Sequence, residues 1–193
     1  DAALADGVEV AAREPVPLSV DPARPGLAGA VGAFTALDFA FPIMHGTFAE
    51  DGTIQGLLEV AGLAYAGAGV AASAVGMDKE LMKAVFAAHG LPQVETRVLR
   101  GAEAAGDAAL AAAEERFAYP VFVKPCNLGS SVGMTKAHDR GELRAAIDLA
   151  ARYDRKVIVE AFVDGREFEC SVLGNDEPRA SVPGEVAAAT REL

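Results

Sequence analysis

The sequence has 193 residues, of which 51% are hydrophobic and 23% charged, and a formal net charge of −11. These proportions are typical of a globular protein, and the acidic balance argues against a nucleic-acid partner or a membrane-surface partner. No apolar run approaches the roughly 18 residues of a membrane span, and no basic segment followed by an apolar core opens the sequence. The spacing of Cys126 and Cys170 indicates neither a disulfide scaffold nor a zinc site. A cytoplasmic location fits these features.

The two ends of the sequence predict little regular structure. The first residue is Asp1 rather than methionine, and the prolines and glycines before Ala33 favour a loop or the remains of a larger unit. Residues 181–186 resemble the end of a strand but run directly into 187–193, a helix-favouring tail, with no turn between them. We therefore expect segments to be missing at both ends.

Strands and helices alternate between these ends. In the first half, apolar runs and helical spacing predict a strand at 39–44, a helix at 53–61 and a return strand at 63–65. A stretch interrupted by glycines at 67–76 and a second helix at 78–89 are predicted to follow. In the second half they predict a helix at 101–115, a strand at 121–123, a glycine loop at 124–133 and a strand at 132–136. A helix at 141–153 and two strands at 157–160 and 167–173, joined by a turn, are predicted to follow. This order predicts an α/β or α+β protein of the kind common among enzymes.

The strongest chemical signal is the loop after the strand that ends at Lys124. Two glycines and two serines follow at 129–133, so backbone N–H groups, hydroxyls and one ammonium can converge on a phosphate chain. The lysine precedes the glycines, unlike in the common P-loop, so this loop is predicted to cover phosphates as a hairpin tip. A hairpin with no ligand and a solvated lysine remains the alternative.

A second lysine, Lys79, stands in the first turn of a predicted helix. A cation is unfavourable there because the helix dipole is positive at that end, so a nearby anion would explain its position. A solvated lysine offset by Asp78 and Glu80 is the alternative.

Acidic residues mark two further places. Glu160 ends a strand and is followed by apolar residues, so Glu160 and Val163 could meet an adenine while Glu167 accepts ribose hydroxyls; an edge strand with solvated acids is the alternative. The loop at 41–53 gathers His45, Glu50 and Asp51 between a strand and a helix, where open α/β sheets place ligands. Asp51 could instead cap the helix, and His45 could be structural.

These motifs together resemble the D-alanine-D-alanine ligase family. The order and spacing match across about 39–186, on the segments 45–46, 50–56, 67–74, 77–79, 124–125, 129–133, 160 and 166–168. The resemblance implies an ATP-grasp fold, with an incomplete amino-terminal α/β domain at 1–76 and an incomplete ATP-grasp domain at 77–193. It also implies a cytoplasmic homodimer that joins two D-alanines for peptidoglycan synthesis through an acyl phosphate made from ATP.

The resemblance assigns roles residue by residue. It implies ATP phosphate contacts for Lys79 and Lys124, a closing loop with Ser130 and Ser131, adenine contacts for Glu160 and Val163, a ribose contact for Glu167, and a place beside the first D-alanine for His45 and Glu50. Ser130 and His45 are the catalytic candidates. Mg(II), or Mn(II), is expected of the intact protein, but its family ligands have no counterpart in this sequence.

Two departures concern single residues, since Ala49 stands where the family usually has glycine and Ala161 where it often has lysine. The acceptor-selecting segment also lacks a counterpart. The sequence therefore leaves open a related ligase that uses D-lactate or another acceptor, and a nucleotide-binding remnant without activity.

Overall fold

The computed structural model describes residues 16–29, 33–101 and 106–187. The chain divides into two compact units, Asp1–Asp78 and Lys79–Leu193, called here the amino-terminal and the carboxyl-terminal unit. Helices and strands are mixed in both, as the sequence predicted. The helical tail predicted at 187–193 lies outside the described residues except for residue 187.

The amino-terminal unit contains a three-stranded antiparallel sheet of β1 (Leu18–Ser19), β2 (Gly26–Ala28) and β3 (Phe34–Ala36). The prediction of a loop up to Ala33 was therefore wrong for this part. Two of the prolines that suggested a loop, Pro22 and Pro25, lie between β1 and β2 and do not prevent these strands from forming. Gly26 is required at its position, since a Cβ there would lie 2.3 Å from the carbonyl oxygen of Thr35 on the neighbouring strand.

A strand-helix-strand segment completes this unit. Parallel strands β4 (Phe39–Ala40) and β5 (Ala64–Tyr65) flank helix α1 (Thr53–Val60), and α2 (Val70–Met77) follows. Leu58, Ala61 and Leu63 form a small buried core. The strand predicted at 39–44 is limited to its first two residues, and α2 forms where glycines suggested a break. Gly69 lies at the N-cap of α2, a position where glycine is compatible with a helix.

The carboxyl-terminal unit has a four-stranded antiparallel sheet in the order β6-β9-β7-β8. Its elements are α3 (Lys79–Ala88), β6 (Thr96–Arg100), α4 (Asp107–Glu114), β7 (Val121–Pro125), β8 (Thr135–Ala137), α5 (Arg140–Ala150) and β9 (Lys156–Ala161). The predicted hairpin of β7 and β8 is confirmed, although β8 begins three residues later than expected. The helix predicted at 101–115 is shorter, and β6 was missed because its two arginines interrupt the apolar pattern.

One face of this sheet carries the main core. Leucine, isoleucine and alanine side chains of α4 and α5 pack with Leu99, Val121, Val123, Val157 and Val159. Alternation along the strands then places Lys124, Ile158 and Glu160 on the opposite face. Burying the first face therefore determines which side chains the second face presents.

Four short strands end the described chain. β10 (Glu167–Glu169) pairs with β13 (Gly184–Val186), and β11 (Val172–Leu173) pairs with β12 (Arg179–Ala180), all antiparallel and exposed. The single strand predicted at 167–173 is thus divided between two ribbons. Gly174, with φ of +117°, lies in the segment that joins β11 to β12.

Candidate active site

A buried carboxylate on the face of the β6-β9-β7-β8 sheet opposite the main core is paired with two lysines. The Nζ of Lys124 on β7 pairs with Oε2 of Glu160 on β9, and the Nζ of Lys83 on α3 lies 3.0 Å from Oε1. Because Phe122 is opposite Glu160 and Lys124 is opposite Ile158, Lys124 and Glu160 are diagonal neighbours on one face. We call Lys83, Lys124 and Glu160 the charge cluster.

The charge cluster keeps Glu160 ionised although the residue is only 7% exposed. Burial by itself raises the pKa of a carboxyl group, but hydrogen bonds and charge attraction from Lys124 and Lys83 outweigh it, so the pKa of Glu160 lies below its ordinary value. The site thus contains a buried, negatively charged acceptor beside two cations.

Lys79 joins this region from the first turn of α3. Its Nζ donates to the carbonyl oxygen of Leu128 and lies 3.4 Å from that of Cys126, while its backbone N–H donates to Cys126 at 3.0 Å. Burial lowers the pKa of the Lys79 ammonium, and repulsion from Lys124 lowers it further. A nearby anion was the predicted reason for a lysine in the first turn of this helix. The loop carbonyl groups provide a second reason, since they also compensate the charge of this cation.

The loop that connects β7 and β8 surrounds a cavity of about 220 Å³. Its lining consists of two lysines, the adjoining strand residue and six loop residues: Lys79, Lys124, Pro125, Leu128, Gly129, Ser130, Ser131, Val132 and Met134. Two ammonium groups with hydroxyl and backbone N–H donors form a donor set suited to a polyphosphate. The structure brings these residues together around one cavity, while their phosphate-binding roles stay predictions.

Backbone strain is concentrated at the tip of this loop. Ser130 and Ser131 have φ angles of +49° and +58°, in a region of backbone conformation that residues other than glycine seldom adopt. Such conformations cost about 1–3 kcal/mol each and are common where a loop holds a ligand. Both serines are exposed, so the strain does not arise from packing in a core.

The base of the loop is firmly attached to the unit. Asp154 Oδ2 accepts hydrogen bonds from the backbone N–H and from Nδ2 of Asn127, at 2.9 and 2.7 Å, and the Cys126 N–H donates to Lys156. At the other end, Gly133 has φ of +71°, and a Cβ there would lie 2.8 Å from the ring of Tyr153. The loop therefore combines a fixed base with an exposed, strained tip.

Aromatic side chains continue the same face beyond Glu160. The Phe122 and Phe162 ring centroids are 6.0 Å apart, and the Nζ of Lys136 lies 4.1 Å from the Phe162 centroid. These rings offer an apolar surface next to the Glu160 carboxylate. The other two residues predicted to contact the nucleoside are solvent-exposed, since Val163 is 63% exposed and Glu167 belongs to the exposed strand β10.

The loop at 45–52 in the amino-terminal unit uses its acids differently. Glu50 accepts a hydrogen bond from the Gly46 N–H at 2.7 Å, and Asp51 accepts from Phe48 and Thr53 at 2.8 and 3.0 Å. His45 is exposed, with Nδ1 3.8 Å from Glu50 Oε1. Both acids thus stabilise their own loop, and the predicted substrate contacts of His45 and Glu50 stay predictions.

Lys83 belongs to the site but was not predicted from the sequence. The spacing could have indicated it, because Lys83 is four residues after Lys79 and therefore on the same side of α3. Without the tertiary structure, nothing distinguished it from an ordinary surface lysine.

Among the residues that the structure describes, no group of three or more histidine, cysteine, aspartate or glutamate side chains could hold a metal ion, so the expected Mg(II) is assigned to none of them. Within residues 16–29, 33–101 and 106–187, none of the helices combines the length and the apolar composition that a membrane span requires.

Comparison with solved structures supports the fold. The chain matches a D-alanine-D-alanine ligase from Coxiella burnetii with a TM-score of 0.77 and 39% identity, covering 84% of this chain and 50% of that one. It matches the VanG D-Ala:D-Ser ligase from Enterococcus faecalis with a TM-score of 0.81 and 35% identity, covering 89% and 49%. These likenesses show the ATP-grasp fold.

Comparison of the sequence gives the family. A model of the D-ala D-ala ligase N-terminus matches residues 19–68, and a model of the D-ala D-ala ligase C-terminus matches residues 85–192. The D-alanine-D-alanine ligase of Acetivibrio thermocellus is 55% identical over 152 residues, which is 78% of this chain and 40% of that protein. The chain thus spans less than half the length of this relative. With both family models matched in order, it belongs to the D-alanine-D-alanine ligase family.

Proposed function

We propose that the full-length protein is a cytoplasmic ligase that joins two D-alanines at the expense of ATP, for peptidoglycan synthesis. The observation that carries the proposal is the arrangement of Lys79, Lys124 and the loop at 129–133, called here the Gly-Ser loop, around one cavity, in an otherwise acidic chain. Membership of the family supports the substrates.

Phosphoryl transfer depends mainly on positioning and on neutralisation of negative charge. In the proposed reaction, the ammonium groups of Lys79 and Lys124 face the phosphates, and the backbone N–H groups and hydroxyls of Ser130 and Ser131 close over them. The strained tip favours this assignment because a loop already held in an uncommon conformation needs less reorganisation to bind.

The chemistry proceeds through an acyl phosphate in this proposal. The carboxylate of the first D-alanine takes the γ-phosphoryl group of ATP, and ADP leaves. The amino group of the second D-alanine attacks the acyl carbon, and phosphate leaves as the peptide bond forms. His45 and Glu50 are proposed beside the first D-alanine, and Glu160, Val163 and Glu167 beside the nucleoside. Mg(II), or Mn(II), is proposed to assist the transfer in the full-length protein.

The acceptor is a separate question, and one observation favours a second candidate. The VanG D-Ala:D-Ser ligase from Enterococcus faecalis is 35% identical to this chain. A ligase that joins D-alanine to another D-configured acceptor, such as D-serine or D-lactate, is therefore the alternative.

The test is an assay of phosphate release from ATP by the full-length protein with Mg(II). D-alanine alone, D-alanine with D-serine and D-alanine with D-lactate are compared, and mass spectrometry identifies the product. We expect D-alanyl-D-alanine as the main product. A mixed product in excess supports the alternative acceptor, and ATP binding without phosphate release under any condition identifies a nucleotide-binding remnant.

The quaternary structure and the domain division belong to the same proposal. We propose a homodimer, which light scattering of the full-length protein would test, and domains at 1–76 and 77–193, which limited proteolysis near residue 77 would test.

A further inference from the structure

The two oxygens of the Glu160 carboxylate have different lysine partners. Oε2 pairs with Lys124 and Oε1 with Lys83, and the carboxylate is almost fully buried. One lysine would suffice to balance the charge of one glutamate. The second cation therefore needs an explanation of its own.

Lys124 stands between two anion positions. It contacts Glu160, and it also lines the cavity beneath the Gly-Ser loop. When its ammonium turns toward phosphates, as the proposed function requires, its bond to Oε2 is weakened or lost. If Lys83 were absent, this movement would leave the buried carboxylate without any cation, and such a carboxylate is unstable as an ion and tends to take up a proton.

Lys83 has no such second task in the described residues. It is absent from the lining of the loop cavity and instead borders a separate cavity of about 240 Å³ between α3 and the sheet, beside Ile158 and Thr96. Its side chain is 18% exposed, against 24% for Lys124. Lys83 can therefore stay with Oε1 while Lys124 binds elsewhere.

We propose that Lys83 is a positioning residue for base selection: it keeps Glu160 ionised and oriented, with Oε2 turned to the exocyclic amino group of the nucleobase, after Lys124 has moved to the phosphates. This inference rests on the proposed function, because it takes the ligand to be an aminopurine nucleotide.

The chemistry of the base gives the inference a distinctive signature. An ionised carboxylate accepts a hydrogen bond from the 6-amino group of adenine but repels the 6-oxo group of hypoxanthine. A protonated carboxyl can donate to that oxo group, so its discrimination between the two bases is small. Loss of Lys83 should therefore weaken ATP binding and leave ITP binding much less affected.

The experiment measures dissociation constants for ATP, ITP and inorganic tripolyphosphate by calorimetry on the full-length protein. Lys83→Met is expected to weaken ATP binding about 10-fold and to reduce the ATP-to-ITP preference by a similar factor, with tripolyphosphate binding unchanged. Lys83→Arg, which retains the cation, is expected to recover most of the preference.

Arg116→Met is the matched control, because it removes a cation from an ion pair with Glu95 in which both side chains are about half exposed, at 47% and 53%. It should change none of the three constants. Lys83→Gln serves as a second neutral variant if Lys83→Met does not fold, and the same loss of preference is expected.

An unchanged ATP-to-ITP preference in the folded neutral variants overturns the inference, as does an equal loss of tripolyphosphate binding, which would place Lys83 at the phosphates. A different result would contradict the proposed ligase activity, namely wild-type protein that binds ATP but makes no dipeptide. In that case the nucleotide preference still tests Lys83.

Discussion

Two acidic regions of this chain use their carboxylates in opposite ways. In the charge cluster, Glu160 is buried and pairs with lysine side chains from another strand and from a helix. In the loop at 45–52, Glu50 and Asp51 accept hydrogen bonds from backbone N–H groups of their own loop. Only the first region depends on segments that are distant in sequence.

The acidic residues of this fold are therefore of two kinds, local and long-range. A carboxylate that caps its own turn can be explained by local structure and needs no ligand. A buried carboxylate between two lysines costs desolvation energy that local structure does not require. Mutations should therefore have large effects on nucleotide chemistry in the charge cluster and mainly small effects on stability in the loop.

Lys124→Ala should give the largest effect. It removes an ammonium that lines the loop cavity, so ATP turnover should fall about 1,000-fold in the full-length protein. The free energy of unfolding should fall by about 1–3 kcal/mol, since Glu160 keeps Lys83. Phosphate release and urea unfolding measure the two effects, and near-normal turnover would contradict the phosphate assignment.

Glu160→Gln should lower the free energy of unfolding by about 2–3 kcal/mol at neutral pH, because it leaves two largely buried lysines without their counter-ion. The folded pKa of Glu160 lies below its ordinary value of 4.5, so the carboxylate stabilises the protein fully above that pH. Its contribution is lost as the pH falls through the lower, folded pKa.

Urea unfolding of wild type and Glu160→Gln between pH 7 and pH 3 checks this dependence. The difference between the two proteins should be constant at the upper end and should shrink below about pH 4.5. A difference that grows on acidification would mean that Glu160 is not stabilised as an ion.

Two glycines of the Gly-Ser loop form a matched pair. Gly133→Ala places a Cβ 2.8 Å from the Tyr153 ring at a positive φ and should cost about 1–2 kcal/mol, whereas a Cβ at Gly129 meets nothing within 4 Å. Thermal melting of both variants should show a lower melting temperature for Gly133→Ala alone. Equal melting temperatures would contradict the described packing of the loop base.

Asp51→Ala should give the smallest effect of this set. It removes the acceptor of the Phe48 and Thr53 N–H groups and should cost about 1 kcal/mol, with nucleotide affinity unchanged. Chemical unfolding and ATP titration measure the two quantities. A loss of ATP affinity would contradict the expected difference between the loop at 45–52 and the charge cluster.

Much of the site could be predicted from the sequence because its signals are local. Lys124 directly precedes the glycines and serines of its loop, and Lys79 begins a helix whose periodicity is clear. The β7-β8 hairpin followed from two strands around flexible residues. By contrast, β1, β2 and β3 are too short for a period to be visible, and β6 carries Arg97 and Arg100 among its apolar residues.

The donor groups gathered near the loop follow from local sequence, since chain neighbours must stay close together. The pairing of Lys83 and Lys124 with the same carboxylate follows from tertiary structure alone, because strand register and the position of α3 bring together residues up to 77 positions apart. Register depends on burying the opposite face of the sheet, a property of all four strands and both packed helices at once. The pairing of Glu160 therefore could not be inferred from any single segment.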